Sequence, residues 1–141
     1  MQSQFQLTAA FRRLTLRMDH APGFLNIVEE ARPRVKEITL EEARERLTKN
    51  PQAVLVDVRE DSEWLKGRAT EAKHLGKGVL ERDLEGMIPD PNTELIMYCG
   101  GGYRSILAAD NAQKMGYRKV YSLIGGYKAM VQAKWPMKSE G

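Results

Sequence analysis

The amino-acid sequence predicts a three-layer α/β fold in which a mostly parallel sheet carries helices on both faces. Strand patterns alternate with amphipathic helix patterns along most of the chain, which is typical of strand–helix–strand units. The segment 53–56 is a continuous apolar run, typical of a strand that is buried on both faces. With 141 residues and 42% hydrophobic content, the chain suits one core. We expect residues 1–35 to be an N-terminal extension and residues 36–141 to form the domain.

An accessory helix is expected ahead of the domain, because apolar residues with helical spacing follow Pro22. Residues 35–38 give a short strand. Thr39 then lies three residues before Glu42, which is the capping-box signature of a helix that runs to about residue 49.

The later elements follow from the same patterns of apolar spacing and of glycine and proline at the ends. They are a strand over 53–56, a short helix capped by Asp61 or Ser62, a strand over 73–75, a helix over 77–85 with Val79, Leu80 and Leu84 inward, a strand over 95–98, a helix from about Ser105 to Gly116, a strand over 120–123 and a last helix over 127–134.

Composition argues against several classes of protein. The 22 basic and 19 acidic residues give a net charge of +3 and are spread along the chain, so we expect no nucleic-acid partner. No apolar run approaches the ~20 residues that a membrane span needs, so we expect no membrane association. One cysteine and two distant histidines offer neither a disulfide nor a metal cluster, so we expect no metal and no cofactor. These features fit a cytoplasmic protein, with mitochondrial targeting by the basic residues 1–17 as a minor alternative.

The most informative stretch is the strand over 95–98, which ends on the only cysteine, Cys99, followed by a glycine-rich loop and a helix. Ligands of open α/β sheets bind beyond the carboxyl ends of the strands. Glycines allow successive backbone N–H groups to converge on one anion, and the helix N-terminus adds positive charge. A free cysteine is often buried and inert, but three glycines would only weaken a packed strand end. The sequence therefore predicts a reactive thiolate at Cys99. The residues of this candidate loop are Gly100, Gly101, Gly102, Tyr103, Arg104 and Ser105.

Two roles stay open for each of the polar residues near the cysteine. Arg104 either orients an anionic ligand or braces the loop. Ser105 either caps the following helix or donates a hydrogen bond to the sulfur, and Tyr103 either forms the pocket mouth or covers a neighbouring helix. Asp57 and Arg59 follow another strand and are expected to support the loop as a buried ion pair, with a direct substrate role for Arg59 as the alternative.

Four blocks of the chain, in this order, resemble the rhodanese family of sulfurtransferases: Val56 to Glu60, Trp64 to Gly67, Cys99 to Ser105, and Val120 to Gly126. The resemblance extends over roughly residues 36 to 136. It implies a five-stranded parallel sheet flanked by helices. It also implies transfer of a sulfane sulfur through a persulfide on Cys99, from thiosulfate or another persulfide to cyanide, a cellular thiol or a sulfur-accepting protein.

One departure from the family pattern bears on the sulfur donor. Members that favour thiosulfate tend to carry a basic residue where this chain has Gly100, so a protein persulfide or a low-molecular-weight persulfide competes with thiosulfate. A persulfide carrier without multiple turnover is the alternative function. A phosphatase or arsenate reductase of the cysteine-arginine type is a further rival. Those enzymes place one residue more between the two side chains than the four that separate Cys99 from Arg104.

Overall fold

The computed structural model describes residues 20–139 and confirms the α/β architecture with a five-stranded parallel sheet. The strands are β1 (Lys36–Ile38), β2 (Val54–Asp57), β3 (Arg68–Ala69), β4 (Lys73–His74), β5 (Glu94–Tyr98), β6 (Lys119–Leu123) and β7 (Met137–Lys138). Five of them form the sheet in the order β1-β6-β5-β2-β4, and every pairing is parallel. Strands β3 and β7 form a separate antiparallel pair that the sequence patterns did not predict.

Six α-helices lie within the described residues: α1 (Pro22–Ala31), α2 (Leu40–Lys49), α3 (Asp61–Lys66), α4 (Leu80–Met87), α5 (Arg104–Lys114) and α6 (Gly126–Gln132). Short 3₁₀ turns over Arg32–Arg34 and Lys77–Val79 precede β1 and α4. None of the helices in this part of the chain is long and apolar enough to cross a membrane. The targeting alternative for residues 1–17 concerns a segment outside the described residues and stays a prediction.

The central strand β5 separates two apolar clusters, as the pleat of a strand requires. Leu95 and Met97 face a cluster that contains buried residues of α1, α4 and α5. Ile96 and Tyr98 face the cluster that contains buried residues of α2 and α6. Because alternate side chains point to opposite faces, both faces of β5 are covered, and the whole strand is buried.

The accessory helix α1 packs into the domain. Its residues Val28 and Ala31 are buried in the same cluster as α5. Arg34, in the turn that follows α1, donates hydrogen bonds at 2.9 and 2.8 Å to the two carboxylate oxygens of Asp110 on α5. The described part of the extension, residues 20–35, therefore contributes to the core.

Two local predictions outside the cysteine loop are wrong. Neither Asp61 nor Ser62 caps α3, because the helix begins at Asp61 and its N-cap is Glu60, whose backbone N–H donates to the Glu63 carboxylate at 2.9 Å. Val79 does not face inward. It closes a 3₁₀ turn, where the 3.6-residue spacing that placed it inside does not apply, and it is exposed. The capping box of Thr39 and Glu42 on α2 is confirmed.

Candidate active site

Cys99 follows β5 directly and lies at the carboxyl edge of the sheet, between the neighbouring strands β6 and β2. Residues 100–103 form the loop, and α5 begins at Arg104. The thiol is 1% exposed, yet Cys99 lines a cleft together with the loop residues Gly100 and Gly101. The topology thus carries the cysteine to the place where parallel sheets bind ligands.

The Cys99 sulfur receives hydrogen bonds from the loop and from the first turn of α5. The backbone N–H groups of Gly102 and Ser105 point at Sγ, at 3.1 and 3.3 Å. Ser105 is the second residue of the helix, and an N-cap oxygen would normally accept the bond from such an N–H group. Here the N-cap residue, Tyr103, offers no side-chain cap, and the sulfur takes that position. Of the two roles left open for Ser105, the cap is wrong, because the helix begins one residue earlier, at Arg104. The Ser105 hydroxyl oxygen lies 3.5 Å from Sγ, at hydrogen-bond distance.

The glycines of the loop are not equivalent. Only Gly102 has a left-handed backbone, with φ of 100°, and a Cβ there would approach the backbone N of Gly125 to 3.0 Å. A Cβ at Gly101 would meet nothing within 4 Å, and at Gly100 it would lie 3.0 Å from the Arg104 guanidinium. Of the three loop glycines, only Gly102 therefore adopts a backbone conformation that favours glycine.

The Ser105 hydroxyl has a hydrogen-bond partner of its own, the hydroxyl of Ser122. Ser122, a fully buried residue of β6, places its Oγ 2.7 Å from the Oγ of Ser105. When the Ser122 hydroxyl donates to Ser105, the Ser105 proton is free to point at the Cys99 sulfur. The arrangement gives a line of two hydroxyls that ends at the thiol.

The start of α6 holds the cysteine loop from the other side. The backbone N–H of Tyr127 donates to the Cys99 carbonyl at 2.7 Å, and that of Lys128 donates to the Gly100 carbonyl at 3.1 Å. A Cβ at Gly126 would collide with the Cys99 carbonyl oxygen, and its φ of 54° is left-handed. The glycine pair after β6 therefore allows the close approach that makes both bonds.

Arg104 is held by an acidic residue of α3. Its two terminal nitrogens donate to the two carboxylate oxygens of Glu63 at 2.8 and 3.0 Å. These hydrogen bonds lower the pKa of Glu63 to about 2 and raise the pKa of Arg104. The only charge within the loop is thus paired with a carboxylate across the cleft wall.

Asp57 and Arg59 form the buried ion pair that the sequence predicts. They are 0% and 3% exposed, and the shortest bond between guanidinium and carboxylate is 2.7 Å. The same guanidinium donates to the Gly67 carbonyl at 2.6 Å and lies 4.0 Å from the ring centre of Tyr127. Neither residue lines the cleft. The pair therefore lies beneath the segment of α6 that holds the loop.

The cleft in front of Cys99 has a volume of about 700 Å³. Helix α6 lines it with one face, which carries Lys128 and Gln132. Tyr103 lines the cleft, and its ring also stacks with that of Phe24 on the neighbouring helix α1. Among residues 20–139, no group of three or more His, Cys, Asp or Glu side chains could hold a metal ion.

Several residues of this site were missed by the sequence analysis. They are His20, Phe24, Glu63, Ser122, Lys128 and Gln132. Ser122 gave a signal, since it is the one polar side chain in the otherwise apolar segment 120–123. Glu63 gave no signal, because it lies 41 positions before Arg104, the loop residue that it contacts.

Comparison with known proteins identifies the family. Residues 39–133 match the model of the rhodanese-like domain. The chain belongs to the rhodanese-like domain family. The matched range of this rhodanese-like domain includes Cys99 and the whole loop, and it leaves out His20 and Phe24, which the extension adds to the cleft.

Two curated relatives of the rhodanese-like domain come from Bacillus subtilis (strain 168), and both names are provisional. A sulfurtransferase is 28% identical over 95 residues, which make up 67% of this chain and 89% of that protein. A sulfur carrier protein is 28% identical over 94 residues, 67% of this chain and 50% of that protein, so this chain matches half the length of that relative. A solved structure from Rhodopseudomonas palustris, described as a protein of unknown function and possible tyrosine phosphatase, is 29% identical with a TM-score of 0.71, covering 85% of this chain and 97% of that chain.

Proposed function

We propose that this rhodanese-like protein is a sulfurtransferase that moves a sulfane sulfur through a persulfide on Cys99. The observation that carries the proposal is the convergence of donors on one sulfur atom. Two backbone N–H groups, from Gly102 and Ser105, lie 3.1 and 3.3 Å from Sγ, and the Ser105 hydroxyl lies 3.5 Å away. N–H groups that point at a sulfur atom stabilise negative charge on it, and the thiolate is the form of cysteine that acts as nucleophile.

Sulfur loading is the first half of the reaction. The Cys99 thiolate attacks the outer sulfur of a donor that approaches through the cleft. With thiosulfate, the electron pair of the thiolate forms the new S–S bond, and the old S–S bond breaks so that its pair leaves with sulfite. The products are a Cys99 persulfide and sulfite, so charge and electrons balance without a further reactant. The covalent intermediate divides one difficult transfer into two easier ones.

Sulfur release is the second half. An acceptor nucleophile, such as cyanide or a thiolate, attacks the outer sulfur of the persulfide. The S–S bond of the persulfide breaks, and its electron pair stays on the Cys99 sulfur as a thiolate. The N–H groups of Gly102 and Ser105 stabilise the negative charge that develops there. The same donors therefore assist the cysteine as nucleophile and as leaving group.

A phosphatase is the rival enzyme, since one structural neighbour is described as a possible tyrosine phosphatase. Such chemistry needs an arginine that faces a bound phosphate. In this chain both terminal nitrogens of Arg104 are engaged by Glu63. The loop is also one residue shorter than a phosphate loop of this type and curls around a single sulfur. Both observations favour sulfur over phosphate as the group that is held.

The experiment is a turnover assay with the full chain. A sulfane donor and cyanide are supplied in large excess, and thiocyanate is measured per mole of protein, with Cys99→Ser as the control. A sulfurtransferase produces many equivalents, all lost in the control. One equivalent with no further turnover would instead indicate a carrier. Hydrolysis of an aryl phosphate by the wild type, absent in Cys99→Ser, without any thiocyanate would overturn the proposal in favour of the phosphatase.

A further inference from the structure

We propose that the cleft contains a subsite for the carbon skeleton of a small organic persulfide that bears a carboxylate, built from Lys128 and from an aromatic wall that the N-terminal extension adds. This inference rests on the proposed function, and it concerns the donor. Its evidence lies in residues that surround the cysteine loop.

The aromatic wall joins α1 to the cysteine loop. The ring of His20 lies 4.4 Å from that of Tyr103 and 5.1 Å from that of Phe24, between ring centres. The Arg32 guanidinium lies 5.7 Å from the Tyr103 ring centre. His20, Phe24 and Tyr103 all line the cleft, and the first two fall outside the matched range of the rhodanese-like domain. The wall is therefore an addition to the domain's own site.

The charges of the cleft point to an anionic ligand. Among residues 20–139, the charged side chains that line it are Glu63, Arg104 and Lys128. Glu63 and Arg104 neutralise each other through two hydrogen bonds. Lys128 makes no ion pair with any residue in the part of the chain described, 20–139, and its side chain is exposed on the face of α6 that lines the cleft. A carboxylate on the ligand would complement this lysine.

The size of the cleft argues for an organic donor. Its volume of about 700 Å³ lies in the range of sites that enclose small organic molecules. Thiosulfate has only a handful of atoms and would leave most of this surface without contact. His20, Phe24 and Tyr103 line the same cleft as Cys99, so the carbon skeleton of an organic thiol has the aromatic wall to contact while its outer sulfur meets Cys99.

The transfer from such a donor balances without a co-reactant. The Cys99 thiolate attacks the outer sulfur of R–S–SH, and a new S–S bond forms with the electron pair of the thiolate. The S–S bond of the donor breaks, and its pair leaves with R–S⁻. The products are Cys99–S–SH and the thiolate of the donor, so nothing is oxidised or reduced overall.

The test compares two synthetic persulfides that differ in one group: the persulfide of mercaptopropionate, which carries a carboxylate, and that of mercaptoethanol, which carries none. Lys128→Ala should lower kcat/KM about fivefold for the donor with a carboxylate, the size of a partly exposed ion pair, and by a smaller factor for the donor without one. Lys119→Ala is the matched control, since it removes the same charge at the amino end of β6, away from Cys99.

His20→Ala tests the wall without emptying the core, because Phe24 and Tyr103 pack on the core cluster and His20 does not belong to it. It should lower kcat/KM several-fold for both organic persulfides and by a smaller factor for thiosulfate. Ile27→Ala, at a position of α1 that is 53% exposed, is the control.

Two kinds of failure can be told apart by mass spectrometry of Cys99. A wild type that gains no sulfur from any donor overturns the proposed function and the subsite with it. If the wild type loads normally, two kinetic results would overturn the subsite alone. One is that Lys128→Ala and Lys119→Ala have the same kcat/KM for the carboxylate donor. The other is that His20→Ala lowers kcat/KM for thiosulfate as much as for the organic persulfides. Preference for a persulfidated protein over both small persulfides would also overturn it.

Discussion

Replacing Gly102 by alanine tests whether the backbone holds the Cys99 sulfur. Gly102 has φ of 100°, and an added Cβ would lie 3.0 Å from the N of Gly125 and 3.3 Å from the O of Leu123. An L-residue in a left-handed conformation costs about 1–2 kcal/mol. Both neighbouring atoms belong to the backbone and cannot rotate away. We therefore expect the loop to shift and the free energy of unfolding to fall by about 1–2 kcal/mol.

The shift should weaken the hydrogen bond from Gly102 N to Cys99 Sγ, now 3.1 Å. A hydrogen bond to a charged group contributes about 1.5–3 kcal/mol. Each ~1.4 kcal/mol corresponds to a factor of ten, and a thiolate with fewer hydrogen bonds is a better nucleophile, which offsets about half of the loss. Alkylation of Cys99 by iodoacetamide at neutral pH should therefore slow by about threefold to tenfold. The rate is measured by mass spectrometry under pseudo-first-order conditions, and stability by urea unfolding.

Gly101→Ala is the matched control, because it adds the same methyl group one residue earlier. A Cβ there meets nothing within 4 Å, and Gly101 is not left-handed. Its stability should change by less than about 0.5 kcal/mol, and its alkylation rate should match the wild type. If the two alanine variants react at the same rate, the backbone cradle does not control the thiol and the reasoning is refuted.

Three further substitutions test the surroundings of the loop. Asp57→Asn should lower the free energy of unfolding by about 3 kcal/mol, because the buried Arg59 guanidinium loses its counter-charge, with a smaller effect on donor affinity; urea unfolding and donor titration measure the two. Glu63→Gln should cost about 1 kcal/mol at neutral pH, since the side chain is 36% exposed and solvent weakens the pair with Arg104. The pKa of Glu63 is lowered to about 2, so its contribution holds above its ordinary pKa and is lost as the pH falls toward 2; urea unfolding from about pH 5 to pH 2 should show a weaker pH dependence in this variant. Ser122→Ala should slow alkylation of Cys99 several-fold and change stability by less than about 1 kcal/mol, because the hydroxyl acts through its neighbour on the sulfur.

For each of these three substitutions, one outcome would contradict the expected role of the residue. A large loss of donor affinity in Asp57→Asn with unchanged stability would mean that the ion pair acts directly on the substrate. Unchanged pH dependence in Glu63→Gln would mean that the pair with Arg104 does not form in solution. Equal alkylation rates in Ser122→Ala and the wild type would leave the second hydroxyl without influence on the sulfur.

The features of this protein that its sequence predicts are those in which neighbouring residues decide the outcome. The capping box of Thr39 and Glu42 lies within one turn, and the buried strand before Cys99 is one apolar run. The glycine-rich loop that follows the cysteine is likewise local. For this reason the order of residues along the chain is enough to predict the fold class and the position of the thiol at a strand end.

The features that the sequence does not predict depend on contacts between distant segments. Glu63 meets Arg104 across 41 positions, and Ser122 meets Ser105 across 17. The pairing of β3 with β7 involves two residues from each strand, which is too short for a periodic pattern. A cap by Ser105 is expected because serine favours the N-cap position. In the structure the N-cap is Tyr103, and the Cys99 sulfur accepts the hydrogen bond from the Ser105 N–H.

The central claim is that Cys99 carries the sulfur as a persulfide. Its most direct test is mass spectrometry of the full chain after incubation with a sulfane donor, followed by removal of the excess donor, digestion and addition of a thiol acceptor. We predict a gain of one sulfur atom on the peptide that contains Cys99, its loss on addition of the acceptor, and no gain in Cys99→Ser. A wild-type Cys99 that gains no sulfur from thiosulfate or from an organic persulfide, or a gain that persists in Cys99→Ser, would contradict the claim.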